Sequence, residues 1–173
     1  MEEDQMTLEE YQSLVETLES TPRIIQQLAD DLADGDATWK PSEKQWSVLE
    51  HVCHLKDIEQ EGYTLRIGKL LREPQPFLAD IDGDKLAEER SYRSQDLRQA
   101  LSAFARARQQ NVLVIKDLTH DQLNRSGMFE NFGTVTLARL LLMMREHDAG
   151  HLKDLSGLHD RIRRERAQLS ATS

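Results

Sequence analysis

The hydrophobic positions of this 173-residue chain fall into four long segments with a 3.6-residue rhythm. In the first, about Thr7 to Asp34, Leu8, Tyr11, Val15 and Leu18 recur at helical spacing, and Ile24, Ile25, Leu28 and Leu32 continue the pattern. Thr7 with Glu10 three residues on reads as a capping box. Gly35 stands just past the expected end, the usual C-terminal place for glycine. Pro22 lacks the N–H and crowds the preceding turn, so it predicts a bend or an interruption. Residues 36–46, with Trp39, Pro41 and Trp46, read as a connection. Ser47 and Glu50 form a second capping box. It opens a helix whose inner stripe is Val48, Val52, Leu55 and Ile58, extended by Leu65, Ile67, Leu70 and Leu71 and ended by Pro74 and Pro76. Residues 72–93 are long and polar and read as a crossover loop. A third helix begins near Ser94 and carries Leu97, Leu101, Phe104, Val112, Ile115 and Leu118; Thr119 and Gln122 mark a small capped turn. Residues 124–134, with Gly127 and Gly133, read as another loop. The fourth helix starts near Thr134 or Thr136 and carries Leu137, Leu140, Leu141, Met144, Leu152 and Leu155. Gly157 predicts its end or a kink, and the basic, then small and polar, remainder predicts a fraying tail. Period-two runs and hairpin signals are missing, so no strand is expected. The pattern therefore predicts an all-α, four-helix bundle with at least one long crossover loop. It is read as one domain over residues 1–165 followed by a flexible tail over 166–173.

Composition narrows the function classes. A formal charge of −9 argues against bulk binding of nucleic acid or anionic membranes, which need a basic surface. No apolar run approaches the roughly 18 residues of a membrane span. The acidic opening MEEDQMTLEE lacks the basic-then-apolar order of a secretory signal. The single cysteine, Cys53, excludes an internal disulfide and a multi-cysteine zinc cluster, and it reads as a buried small apolar residue. A reducing cytoplasm is the expected location.

Six histidines carry the candidate chemistry. His147 and His151 are four apart on the most apolar helix, in line with Leu140, Met144 and Leu155. That spacing puts both rings on one face, about 6 Å apart along the axis. His54, with His51 three residues before it, lies near the inner stripe of the second helix. Two facing helices could supply three imidazoles to one point, a donor set suited to zinc, nickel or another borderline metal with a position left for water or substrate. His51 is open as a ligand, a hydrogen-bond partner of a ligand or a rim residue. Asp57, Glu59, Glu146 and Asp148 are near enough in sequence to orient the rings. Gly150 costs helix stability and predicts a close approach by backbone or ligand. His120 and His159 are expected in solvent. Trp39 and Trp46 could line a site mouth, with packing at the start of the second helix the stronger expectation. HDAGH is only superficially like the zinc-protease HExxH: Asp148 is one methylene short of the usual base.

The order Pro41, Trp46-Ser47-Val48, His54-Leu55 with Asp57, Glu59 and Arg66, and then Thr136-Leu137 leading to His147-Asp148-Ala149-Gly150-His151 resembles the DinB-like (DinB/YfiT) superfamily of metal-dependent enzymes. The likeness covers most of residues 7–158; Lys44 and Gln45 stand where the family often has a glycine before the tryptophan. The resemblance implies an up-down-down-up four-helix bundle, often homodimeric, with a divalent zinc or nickel ion on His54, His147 and His151. It also implies a small-molecule substrate and activation of water or a low-molecular-weight thiol, that is, a hydrolase or a thiol S-transferase. A non-catalytic metal-binding bundle acting in dimerisation or partner binding is the alternative.

Overall fold

Helix α1 (Leu8–Asp30) starts where Thr7 caps it: Glu10 N–H donates to Thr7 Oγ1 at 3.2 Å, and Thr7 N–H donates to the Glu10 carboxylate at 2.7 Å. Pro22 lies inside α1 and does not interrupt it. A proline leaves the carbonyl four residues back without its helical donor. Here that carbonyl, Leu18 O, accepts from the buried guanidinium of Arg108 at 3.0 Å. The computed structural model describes residues 6–33 and 35–171; the acidic start at 1–5, the expected helix end at Asp34 and the last two residues of the expected tail lie outside the described residues.

The second rod of the bundle is continuous from α2 (Val48–Asp57) through a π-helical turn (Ile58–Tyr63) into α3 (Thr64–Arg72). Ser47 and Glu50 form its capping box. In the π-turn both the N–H and the hydroxyl of Thr64 donate to Glu59 O, five residues back, instead of the usual four. The crossover from 73 to 96 is structured, contrary to expectation. It holds β1 (Phe77–Leu78), the short helix α4 (Gly83–Glu89) capped by Asp82, and a 3₁₀ turn at Tyr92–Ser94. Helix α5 (Leu97–Ile115) is capped by Asp96, and the one-turn α6 (His120–Leu123) by the Thr119–Gln122 box.

The expected loop at 124–134 is instead a hairpin, β2 (Ser126–Phe129) and β3 (Gly133–Thr136), in the antiparallel register Gly127↔Val135. Strand β1 joins β2 in parallel with Phe77 opposite Met128. The small sheet corrects the reading of these two segments as loops, while the helical bundle stands as expected. Its strands are too short for alternation to register, and Gly127 is there because a Cβ would meet Pro76 O at 2.6 Å. Helix α7 (Leu137–Ala171) passes Gly157 without ending. The chain is thus a four-helix bundle of α1, the α2–α3 rod, α5 and α7, running up-down-down-up. The two successive parallel rods force the long crossover. Among the described residues no helix is long and apolar enough to cross a membrane.

The core comes in two parts. One apolar cluster gathers Leu14, Leu18, Ile67, Leu70, Ile115, Leu140 and Met144 around the sheet end; the other gathers Ile25, Val52, Leu55, Leu101, Phe104 and Leu155. On every rod the break between them falls at buried or half-buried polar residues: Thr21 on α1, His54 and Glu59 on the second rod, Arg108 and Asn111 on α5, His147, Asp148 and His151 on α7. A polar layer therefore crosses the bundle at mid-height.

Candidate metal centre

His54 reaches the layer from α2, and His147 and His151 from α7, one turn apart. His54 Nε2 is 3.1 Å from His147 Nε2, which is 3.2 Å from His151 Nε2. One ring nitrogen from each lies within 4.8 Å of the other two. A tetrahedral ion with bonds of 2.0–2.1 Å spaces its ligand nitrogens about 3.3–3.4 Å apart. The Nδ1 atoms of His54 and His147 are buried and have no hydrogen-bond partner among the described residues. The Nε2 atoms of these two rings face each other and His151 across distances at which two lone pairs repel. A proton or a cation must sit between them, and a borderline divalent ion suits neutral imidazoles. The donor set fits a metal.

The rings are held neutral. Burial, with help from the neighbouring histidines, pushes His147 down to about 2 and His54 down to about 3. Burial also lowers His151 against the opposing pull of Asp154 and Asp148. His51 is likewise pushed down, to about 4, by burial and by His151. Its Nδ1 lies 2.8 Å from His151 Nδ1. When His151 offers Nε2 to the centre, its Nδ1 carries the proton and donates to His51 Nδ1. Of the three roles left open for His51, the hydrogen-bond partner of a ring is the one its geometry matches. Trp46 packs on the cluster rather than only on the helix start: its ring centroid is 4.8 Å from that of His54 and 5.5 Å from that of His51. Trp39 packs against the second apolar cluster.

The four carboxylates near the histidines in sequence do not hydrogen-bond to the rings. Glu146 pairs with Arg139, and Asp57 accepts from Tyr92 Oη at 2.8 Å. Glu59 accepts from Arg108 Nε at 2.9 Å and from Asn111 Nδ2 at 2.7 Å, and Asp148 accepts from Arg108 Nη2 at 3.0 Å. Burial opposes the charge on Arg108, and the paired carboxylates outweigh it, raising its pKa. Sequence reasoning missed this network. Arg108 sits on the third helix among polar neighbours, and the one signal that position 108 faces inward is its place midway between Phe104 and Val112, four residues from each. Gly150 is exposed, and among the described residues no atom comes within 4 Å of where its side chain would be, so no backbone approaches it. Gly83 is the glycine that admits a close approach by a histidine of the cluster: a Cβ there would meet His54 Cε1 at 2.6 Å. His120 is exposed as expected, whereas His159 is buried, because α7 continues and places it one turn beyond Leu155. Cys53 is fully buried, and burial pushes its thiol up to about 11.

Two cavities meet the cluster. One, of about 520 Å³, is lined by His54, His147, Tyr63, Arg66, Phe129 and Phe132. The other, of about 700 Å³, is lined by His51, His151, Trp46, Lys44, Lys153 and Asp154 among others.

Fold and site together define a four-helix bundle that gathers three imidazoles from two rods at its centre. The chain belongs to the DinB superfamily, whose sequence profile matches residues 17–155. Among solved structures it is similar to YfiT from Bacillus subtilis, described as a probable metal-dependent hydrolase with an unusual four-helix bundle topology. The two share 19% identity over 94% of this chain and 93% of that one, with a TM-score of 0.85. It is also similar to a DinB-like protein, YjoA, from Bacillus subtilis, at 20% identity over 87% of this chain and 92% of that one, with a TM-score of 0.52. Among curated proteins none matches.

Proposed function

We propose that this protein is a divalent-metal-dependent enzyme whose ion is held by His54, His147 and His151. It would act as a hydrolase or a thiol S-transferase on a small-molecule substrate. The observation that carries the proposal is the convergence of three neutral ring nitrogens from two rods, between two cavities. The description of YfiT as a probable metal-dependent hydrolase supports the same reading. Zinc or nickel suits the donor set. The proposal includes homodimeric assembly, supported by the family resemblance, and a cytoplasmic location, supported by the single cysteine.

An ion held by His54, His147 and His151 would supply Lewis acidity, lowering the pKa of a water or low-molecular-weight thiol. The chain's own residues do the rest. His51 fixes the tautomer of His151 through the Nδ1 pair. Trp46 packs against the rings of His51 and His54 and limits their movement from that side. Burial keeps His54 and His147 neutral, so each ring has one lone-pair nitrogen available at neutral pH.

The test is metal content and turnover on the same preparation. After chelation and reloading with zinc or nickel, elemental analysis should find one ion per chain, and His147→Ala should lose it. No uptake by the wild type, or full occupancy in His147→Ala, rejects the ligand set. Turnover of an electrophile panel without thiol assigns a hydrolase; strict dependence on an added thiol assigns an S-transferase. Metal uptake that raises the melting temperature without any turnover supports the non-catalytic alternative.

A further inference from the structure

The cavity on the His54–His147 side has one feature that metal binding does not use. Its lining includes an apolar wall, Ile58, Tyr63, Phe129, Phe132, Val135 and Met143, with the charged Asp80, Arg139 and Glu146 also around it. Into that wall is set Arg66, whose residue is 6% exposed. Its Nε and Nη2 both donate to Ala79 O, at 3.1 and 2.8 Å. Its Nη1 makes no hydrogen bond among the described residues; it lies over Gly62, where a Cβ would come within 3.1 Å of it. The guanidinium stacks on Phe129, 4.4 Å from the ring centroid.

Its charge is poorly compensated. The nearest carboxylate, Asp80, is 3.8 Å away and partly exposed, and its oxygens are also engaged by the Ile81 N–H and the Asn131 amide. Arg108 shows what full compensation looks like in this protein: more deeply buried than Arg66, it has two carboxylates at hydrogen-bond distance. A buried cation without a close counter-charge is costly. Arg66 also lies at a useful distance from the candidate metal centre. It is 5.9 Å from the Tyr63 ring, which is in turn 6.0 Å from the His147 ring.

We infer that this cavity binds a small amphipathic carboxylic acid, with Arg66 taking the carboxylate, the aromatic wall taking the apolar body, and the reacting end lying a tyrosine ring away at the histidines. The cavity's other arginine, Arg139, is held by Glu146 through both of its Nη atoms, so Arg66, with its free edge, balances a single negative charge, and a monoanionic carboxylate fits better than a dianionic phosphate. A volume of about 520 Å³ is in the range of small-ligand sites. This inference names the substrate of the proposed metal site and rests on that reading only for the position of the reacting end.

The experiment is calorimetric binding of 3-phenylpropanoate, its amide and 3-phenylpropyl phosphate to the full chain, both metal-free and zinc-loaded. The metal-free arm removes direct coordination of the acid by zinc. The acid is expected to bind metal-free protein at least about tenfold more tightly than the amide or the phosphate. Arg66→Met should abolish that preference while keeping the zinc stoichiometry. Asp80→Asn, a change at the partly exposed rim, should tighten acid binding by removing the competing carboxylate. Equal binding of acid and amide, no acid binding at millimolar concentration, tighter binding of the phosphate, or an unchanged acid affinity in Asp80→Asn overturns the inference. A preference that persists in metal-free protein whose histidines fail to take zinc would instead reject the metal reading and leave the acid site standing.

Discussion

Replacing Gly83 by alanine probes the metal centre without touching a ligand. Gly83 opens α4, which is capped by Asp82 through the Lys85 N–H at 3.0 Å. Its backbone conformation is one that alanine adopts freely, and alanine gains up to about 1 kcal/mol over glycine in a helix. The helix itself therefore has no reason to reject the change. The His54 ring does. An added Cβ would lie 2.6 Å from Cε1 and 3.0 Å from Nδ1, whereas carbon atoms prefer to sit about 3.5–4.0 Å apart. The ring must give way by roughly 1 Å. It is hemmed in by Trp46, His151 and His147, with ring centroids at 4.8, 4.9 and 5.2 Å. Metal–ligand distances tolerate only about 0.2 Å, so the displacement should appear as lost metal affinity. The expected loss is about 10–100-fold, or roughly 1.4–2.8 kcal/mol. Competition titration against a zinc chromophore measures it, and urea unfolding of the metal-free protein checks that the fold is intact. Gly150→Ala is the control. With open space around that position, it should stabilise α7 by about 0.8–1.0 kcal/mol and leave metal affinity unchanged. Wild-type metal affinity in Gly83→Ala would refute the reasoning, because it would mean that α4 moves aside and His54 is not held from that side.

Three further outcomes are expected. His51→Ala should keep the metal stoichiometry but weaken zinc affinity about 10–100-fold, since His151 Nδ1 loses its partner; equal affinity in competition titration would show that the pair does not orient the ring. Arg108→Met should cost about 3–5 kcal/mol in urea unfolding, because Glu59 and Asp148 are left as buried unpaired charges; a loss below about 1 kcal/mol would contradict that. Metal-free protein should lose stability in acid. His147, His54 and His51 are held down to about 2, 3 and 4 in the fold and titrate near 6.5 when unfolded. As pH falls below about 6.5, the unfolded chain takes up protons that the fold refuses. Stability then drops by up to about 1.4 kcal/mol per pH unit for each ring, until the folded groups protonate toward pH 4 and below. Between about pH 7.5 and 5.5 the loss over the three rings should be on the order of 4 kcal/mol; an unchanged urea midpoint would show that the rings are not buried neutral.

The helices and their starts were legible because each start carries its own chemistry. Thr7 with Glu10, Ser47 with Glu50 and Thr119 with Gln122 are local signals, and all three capping boxes form. The histidine set was legible because an i,i+4 pair on an apolar stripe has one natural direction. What escaped depends on partners distant in sequence. The hairpin at 126–136 is held by pairing with β1 about fifty residues earlier, and its strands are too short to show a period. Glu59, Asp148 and Arg108 were read apart, since nothing local says that a glutamate on one rod, an aspartate on another and an arginine on a third share a point. Gly150 and Gly83 exchanged roles for the same reason: a glycine in HDAGH draws the eye, but the space it leaves is empty, and the glycine that matters sits in a polar crossover.

Each departure of the bundle from ideal helix geometry falls at the polar layer. Pro22 breaks one backbone hydrogen bond of α1 and so leaves Leu18 O available to Arg108. The π-turn at Ile58–Tyr63 frees the rod locally from the α pattern at the level where Glu59 meets Arg108 and Asn111. Thr64, whose hydroxyl closes that turn on Glu59 O, also accepts from Asn111 Nδ2 at 2.9 Å. Asp148 then ties the network to α7 immediately beside His147. A buried ion pair adds little net stability compared with apolar packing, so this layer is not explained by stability alone. Its geometric effect is to fix α1, α5, α7 and the second rod against one another at the height of the three rings. On this argument Arg108→Met should do more than lower stability. Even under conditions where the variant stays folded, it should loosen the spacing between His54 and the His147–His151 pair, and zinc affinity should fall with it. A folded Arg108→Met protein with wild-type zinc affinity would show that the layer braces the bundle without setting the site.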